Sequence, residues 1–70
     1  MATVKSEMVG NVSQVVVSVG DQVRSGDPLL FVESMKMEIP VEADRSGTIA
    51  KILIERGASV QTGDPLVELS

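Results

Sequence analysis

The chain has 70 residues, of which 43% are hydrophobic, and ten acidic against six basic side chains give it a net charge of −4. This length suits one small domain, residues 1–70, with a single core. Histidine and cysteine are absent, which excludes Cys/His nucleophiles, zinc fingers and disulfide frameworks. An acidic chain whose one aromatic residue is Phe31 has neither the basic surface nor the stacking platform of a nucleic-acid binder.

The N-terminal segment contains no targeting signal. Lys5 and Glu7 stand where a secretory signal needs apolar residues, and the longest apolar runs, 15–17 and 29–32, are far shorter than a membrane span. We therefore expect a cytoplasmic protein without a membrane partner. The first predicted strand follows closely on Met1, which favours a complete chain over an excised domain.

The two halves of the chain repeat each other with a shift of 37 residues, so that residues 10–33 align with residues 47–70. The identical pairs are Gly10–Gly47, Gly20–Gly57, Val23–Val60, Gly26–Gly63, Asp27–Asp64, Pro28–Pro65 and Leu29–Leu66. Because the spacing repeats as well as the composition, we interpret the halves as two copies of one unit rather than as turn residues scattered through a β protein.

Each copy predicts a strand, a glycine turn, a short stretch around one valine, a Gly-Asp-Pro turn and a second strand. The runs 12–17 and 49–54 are rich in β-branched residues and of strand length. Pro28 and Pro65 suit the first position of a strand. Because a half of about 35 residues cannot bury a face alone, the repeat predicts an all-β sandwich or flattened barrel with a quasi-two-fold axis.

The segment 29–43 must reverse direction without any glycine, asparagine or aspartate. As a straight strand it would span roughly 50 Å, whereas a domain of this size has a radius of gyration of about 11 Å. The repeat places the reversal near Met35-Lys36-Met37 and Pro40 at a sheet edge. By the same shift, the partner position of Lys36 falls just beyond the chain ends, which are therefore expected at the opposite edge.

This reversal is the candidate functional site. Tight hairpins favour positive φ angles, which are costly for methionine and lysine, and a turn that breaks the local rule is where function is expected. The turn would project Lys36 between two adaptable methionines, Met35 and Met37, with Glu33 and Glu38 on either side.

Four other interpretations remain open for this segment. Glu, Met and Lys could form a short helix, although Pro40 opposes it. Lys36 could be a solvated lysine paired with a neighbouring glutamate, and the methionines could belong to the core. Ser34 and Lys36 could act as a serine–lysine pair, although a thin sandwich leaves little room for a pocket.

The segment Glu33-Ser34-Met35-Lys36-Met37-Glu38 resembles the attachment signature of biotinyl domains, whose centre is Met-Lys-Met. Met8-Val9-Gly10 resembles the Met-x-Gly of that family, with Glu7 in place of the usual proline. The likeness covers the whole chain, including the turns at Gly20-Asp21, Gly26-Asp27 and Ala43-Asp44. The chain resembles the stand-alone bacterial biotin/lipoyl attachment proteins. Too few residues separate Val17 from Gly20 to form the "thumb" of some family members, which argues against a close match to the thumb-bearing bacterial acetyl-CoA carboxylase carrier.

The resemblance implies two four-stranded antiparallel sheets and a biotin joined by an amide to Nζ of Lys36. It implies that a biotin protein ligase recognises Glu33, Met35, Met37 and Glu38. Biotin would then carry CO₂ between the biotin carboxylase and carboxyltransferase components of a carboxylase system. The chain itself would be a monomeric carrier that catalyses nothing and binds no metal.

Two alternatives to biotinylation stay open. Lipoyl domains share the fold and carry a lysine on the same hairpin, so lipoate on Lys36 is the variant within the carrier class. Those domains usually have Asp-Lys-Ala at this place, and Met35 and Met37 therefore favour biotin. The other alternative is a small β-sandwich interaction module whose Lys36 is never modified.

Overall fold

The computed structural model describes residues 2–70, which form eight strands and no helix, so that none of the described segments is a helix able to cross a membrane. The strands are β1 (Ala2–Lys5), β2 (Gly10–Val15), β3 (Gln22–Val23), β4 (Pro28–Ser34), β5 (Met37–Glu42), β6 (Gly47–Ile52), β7 (Ser59–Val60) and β8 (Pro65–Leu69). They form two antiparallel sheets of four strands each, β1-β8-β6-β3 and β5-β4-β2-β7. The predicted all-β sandwich is confirmed, and its two sheets stay separate over residues 2–70 rather than closing into a barrel.

The quasi-two-fold relation between the sheets is visible in their strand order. A shift of 37 residues converts β2, β3 and β4 into β6, β7 and β8, and places β1 on the second half of β5. Hydrogen bonds follow the same relation, since the N–H of Ser6 donates to the carbonyl oxygen of Asp64 at 2.8 Å and that of Ala43 to Asp27 at 2.9 Å. The repeat in the sequence therefore predicts the topology correctly.

The strands β2 and β6 begin two residues before the predicted runs 12–17 and 49–54, because each starts at a glycine. A Cβ on Gly10 would collide with the carbonyl oxygen of Glu33, and one on Gly47 would lie 2.9 Å from that of Ser70. The missing side chain lets each strand approach its neighbour closely. Glycine has a low β-strand propensity, and for that reason the prediction from propensity does not include the first residues of β2 and β6.

The glycine, aspartate and proline residues of the turns have different structural roles. All four turn glycines predicted between strands, at 20, 26, 57 and 63, have positive φ values between 91° and 97°. The carboxylate of Asp64 accepts a hydrogen bond from the N–H of Gln61 at 2.8 Å, and Asp27 does the same for Arg24 at 2.9 Å. The prolines that follow are the first residues of β4 and β8, as predicted.

The core lies between the sheets and is built from dyad-related side chains. β4 contributes Leu29, Leu30 and Val32, and β8 contributes their repeat mates Leu66, Val67 and Leu69, all at most 1% exposed. Burying a side chain of this type contributes about 1.5–3 kcal/mol relative to exposure. Core packing therefore fixes β4 as far as Val32, two residues before the strand ends at Ser34.

The chain ends and the β4–β5 hairpin occupy dyad-related positions. β1 pairs with β8 in one sheet, with Ala2 opposite Leu69, while β4 pairs with β5 in the other. This is the arrangement that the shift of Lys36 predicts. β5 is an edge strand, so the predicted edge position of Pro40 is also confirmed.

Replacing Gly63 by valine should lower the free energy of unfolding by about 1–2 kcal/mol, because a β-branched residue tolerates positive φ poorly. The open space around Gly63 makes this a cost of backbone conformation and not of a clash. Urea denaturation measures it. The matched control, Gly63→Asn, should lose less, since asparagine tolerates the left-handed region. A valine variant as stable as the wild type would contradict this account of the turn.

Candidate functional site

The hairpin between β4 and β5 closes with only two residues, Met35 and Lys36, since Ser34 pairs with Met37. Their φ values, 53° and 65°, are the only positive ones outside glycine among residues 2–70. Two positive values in succession define a type I′ turn, which normally contains Asn-Gly. The left-handed conformation costs about 1–2 kcal/mol for each ordinary residue. The predicted costly reversal is confirmed, and the short-helix alternative is wrong.

The side chains of the turn project into solvent. Met35 is 92% exposed and Met37 is 64% exposed, so neither belongs to the core, and that alternative is wrong as well. Lys36 is exposed at the apex. Among the described residues the one ion pair joins Arg45 to Asp44, and Lys36 is therefore not held by Glu33 or Glu38. The apex carries an exposed primary amine between two exposed thioethers.

A polar row crosses the outer face of the sheet directly behind the turn. Glu38 lies opposite Glu33, Glu33 opposite Asn11, and Asn11 opposite Ser59, and all four are exposed. The hydroxyl of Ser59 donates to Oδ1 of Asn11 at 3.3 Å. Like charges directly opposed on adjacent strands are destabilising, so the glutamate pair weakens the hairpin that it flanks.

The Met-Lys-Met segment points to the two glutamates of this row but not to Asn11 and Ser59. These two residues are 48 positions apart and meet only through the pairing of β2 with β7. In the sequence, only the repeat bears on that pairing. The shift of 37 residues makes the contact between β2 and β7 the counterpart of the contact between β6 and β3.

A serine–lysine hydrolase has no supporting geometry at this hairpin. A concavity of about 520 Å³ lies between β1 and β5, lined by residues 3–8 and 40–44, and a second one is lined by residues 22–24 and 46–48. Ser34 and Lys36 line neither of them. Both residues sit at the tip of a hairpin, where the arrangement suits attachment of a group rather than enclosure of a substrate.

Comparison with protein families identifies the class. The family described as "Biotin-requiring enzyme", the biotin/lipoyl attachment family, matches residues 2–69. The chain belongs to this family, which confirms the prediction made from the Met-Lys-Met segment and the repeat.

Two of the curated relatives are small proteins. The chain is 52% identical over 44 residues to the biotin/lipoyl attachment protein of Bacillus subtilis, a match that covers 63% of this chain and 60% of the relative. It is 60% identical over 40 residues to the biotinylated protein TB7.3 homolog of Mycobacterium leprae, covering 57% and 56% of the two chains. The matches thus span less than two thirds of each relative's length.

Solved structures share the fold. A crystal structure of Kluyveromyces lactis urea carboxylase matches 99% of this chain with a TM-score of 0.93 and 36% identity, over 6% of its own length. A single-chain, multi-domain long-chain acyl-CoA carboxylase matches 94% of this chain with a TM-score of 0.88 and 29% identity, over 7% of its own length. Each of these large chains therefore contains a short stretch with the same fold.

Replacing Met35 by asparagine should raise the free energy of unfolding by about 0.5–1 kcal/mol, since asparagine suits the first central position of a type I′ turn. Urea denaturation of both proteins checks this. The control is Met37→Asn, on an exposed strand position where asparagine is unfavourable and no gain is expected. If Met35→Asn is no more stable than the wild type, the turn is not strained at that residue.

Proposed function

We propose that this protein is a biotin carrier in which biotin is joined by an amide bond to Nζ of Lys36. The observation that carries the proposal is the Met-Lys-Met segment held at the apex of a strained two-residue hairpin. The names of the relatives support it, since one is a biotin/lipoyl attachment protein and others are biotinylated proteins. When bound, biotin supplies the capacity to accept and release CO₂.

The residues of the hairpin fit a covalently attached group. Attachment needs a primary amine that an enzyme can approach from outside and that no local carboxylate holds, and Lys36 meets both conditions. The other two lysines lie inside strands. Lys5 pairs with Pro65 in β1, and Lys51 pairs with Glu68 in β6. An enzyme that surrounds a projecting lysine would find one only at Lys36.

The attachment chemistry follows from the lysine amine. After loss of its proton to a base, Nζ of Lys36 attacks the acyl carbon of biotinyl-AMP, a C–N bond forms, and the C–O bond to phosphate breaks as AMP leaves. We propose a biotin protein ligase as the partner that supplies this acyl donor. Its contacts would include the exposed side chains that flank the lysine: Glu33, Met35, Met37 and Glu38.

The fold suits a carrier that catalyses nothing itself. The core fixes β4, and the lysine stem adds a flexible arm at its end, so tethered biotin stays at a high effective concentration near successive active sites. We propose biotin carboxylase and carboxyltransferase components as those partners, because relatives of this chain include a methylcrotonoyl-CoA carboxylase subunit and a pyruvate carboxylase. We further propose that residues 1–70 act as one monomeric, cytoplasmic domain.

Replacing Lys36 by arginine should abolish biotin incorporation and leave stability almost unchanged, because the guanidinium keeps the charge but stays protonated and cannot attack. Intact-mass measurement after incubation with ligase, ATP and biotin decides the matter. The controls Lys5→Arg and Lys51→Arg should each still gain one biotinyl group. A biotin adduct on the Lys36→Arg protein would exclude Lys36 as the sole acceptor.

Lipoate on Lys36 is the second candidate, favoured by the name of the Bacillus subtilis relative. We expect the wild type to accept biotin from a biotin ligase and to accept little lipoate from a lipoate ligase, because its lysine is flanked by Met35 and Met37. The double variant Met35→Asp, Met37→Ala recreates the usual lipoyl pattern and should shift acceptance towards lipoate. Parallel intact-mass assays measure both reactions. Efficient lipoylation of the wild type would favour the alternative.

A further inference from the structure

Val9 is an exposed apolar residue outside the Met-Lys-Met hairpin. Its side chain is 64% exposed, whereas Met8 before it packs against the core. A single exposed valine needs no explanation by itself. The position of Val9 needs an explanation, because Val9 directly precedes β2. That strand lies beside β4, which ends at the hairpin that carries Lys36.

Strand register places Val9 at the end of the sheet where Met35 closes the hairpin. Asn11 pairs with Glu33 and Val12 with Val32, and Val9 and Met35 each lie two residues beyond the Asn11–Glu33 pair in the same direction along the sheet. Gly10 permits this approach, because a Cβ there would meet the backbone of Glu33. The two strands therefore stay in close contact up to the turn.

The alternation of side chains assigns Val9 to one face. Val12 is buried and Asn11 is exposed, so Val9 shares the outer face with Asn11. On β4, Val32 is buried and Glu33 is exposed, so Glu33 lies on this outer face, and the exposed Met35 follows it two residues later in the turn. Met37 is different, since it pairs with Ser34 on the other face of the hairpin.

We propose that Val9 is a contact residue of the biotin protein ligase, where it extends the apolar surface of Met35 on the outer face of the hairpin. This inference rests on the proposed attachment of biotin to Lys36. The ligase is the occupant because it must select one lysine among three and so reads the hairpin itself. The carboxylase components act instead on a group at the far end of the arm. An enzyme that reaches Nζ of Lys36 across Met35 covers Val9 as well.

The test is the rate of biotinylation of the full chain by a biotin protein ligase. Val9→Thr keeps the shape and β propensity of the side chain but exchanges a methyl for a hydroxyl, so kcat/KM should fall about fivefold. Val9→Leu keeps the apolar contact and should stay within about twofold of the wild type. The matched control is Val19→Thr, since Val19 is 63% exposed and adjoins Gly20, which bonds to β6 of the other sheet. This control should leave the rate unchanged, and all three variants should melt like the wild type.

A double-mutant cycle distinguishes a contact shared by Val9 and Met35 from a general effect of Val9→Thr on the rate of biotinylation. Combining Val9→Thr with Met35→Ala should give a loss smaller than the product of the two single losses, because the residues share one contact. Combining it with Met37→Ala, on the other face, should give simple multiplication. Coupling to Met37 and not to Met35 would overturn the assigned face.

The outcomes distinguish this inference from the function on which it rests. If the wild type gains no biotin, the proposed function fails and the inference fails with it. If the wild type is biotinylated and Val9→Thr reacts as fast as Val19→Thr, the function stands and only the role of Val9 is excluded. A Val9→Thr protein that is biotinylated normally but serves poorly in carboxylation would assign Val9 to a carboxylase component instead, and would also overturn the inference.

Discussion

Each half of the repeat can bury its leucines and valines only against the other half, and the rest of the fold depends on this packing. The most deeply buried residues come in repeat-related pairs, such as Leu29 with Leu66 and Leu30 with Val67. They lie in β4 and β8, which occupy equivalent inner positions in the two sheets. The strand that ends at the Met35–Lys36 turn is therefore also one of the two strands that build the core.

That coupling explains how a strained turn persists. The pairing of Ser34 with Met37 leaves only two residues to close the hairpin, and both take positive φ. A small domain has a total stability of only about 5–15 kcal/mol, so two unfavourable conformations of about 1–2 kcal/mol each are a substantial share. Packing of β4 fixes the register on one side of the turn, so the turn cannot relax without disrupting core contacts. Asn-Gly would be more stable here, but it would remove the amine.

Features set by nearby residues are predicted from the sequence more fully than features set by distant ones. The repeat predicts the dyad, and turn chemistry predicts the glycine turns and the strand starts at Pro28 and Pro65. The hairpin follows from chain length and the absence of turn residues. Three features depend on contacts between distant segments and are missed: the strand start at Gly10, the Asn11–Ser59 contact and the position of Val9 beside the turn. Local propensity contains no information on which strand lies beside which.

If Lys36 is the attachment site that we propose, the charges around the turn would differ between the unloaded and the loaded carrier. Glu33 and Glu38 oppose each other across the hairpin, and Lys36 supplies the positive charge at its apex. Acylation of Nζ removes that charge from a chain whose net charge is already −4. On the proposed function, a ligase would therefore meet a tip with a cation between two carboxylates, whereas a later partner would meet carboxylates beside a neutral arm. Because exposed charges act within about a Debye length, roughly 8 Å at physiological ionic strength, this difference would be confined to the hairpin and would leave the distant surface unchanged. The proposed modification would thus change the electrostatics of the same surface on which the lysine is presented.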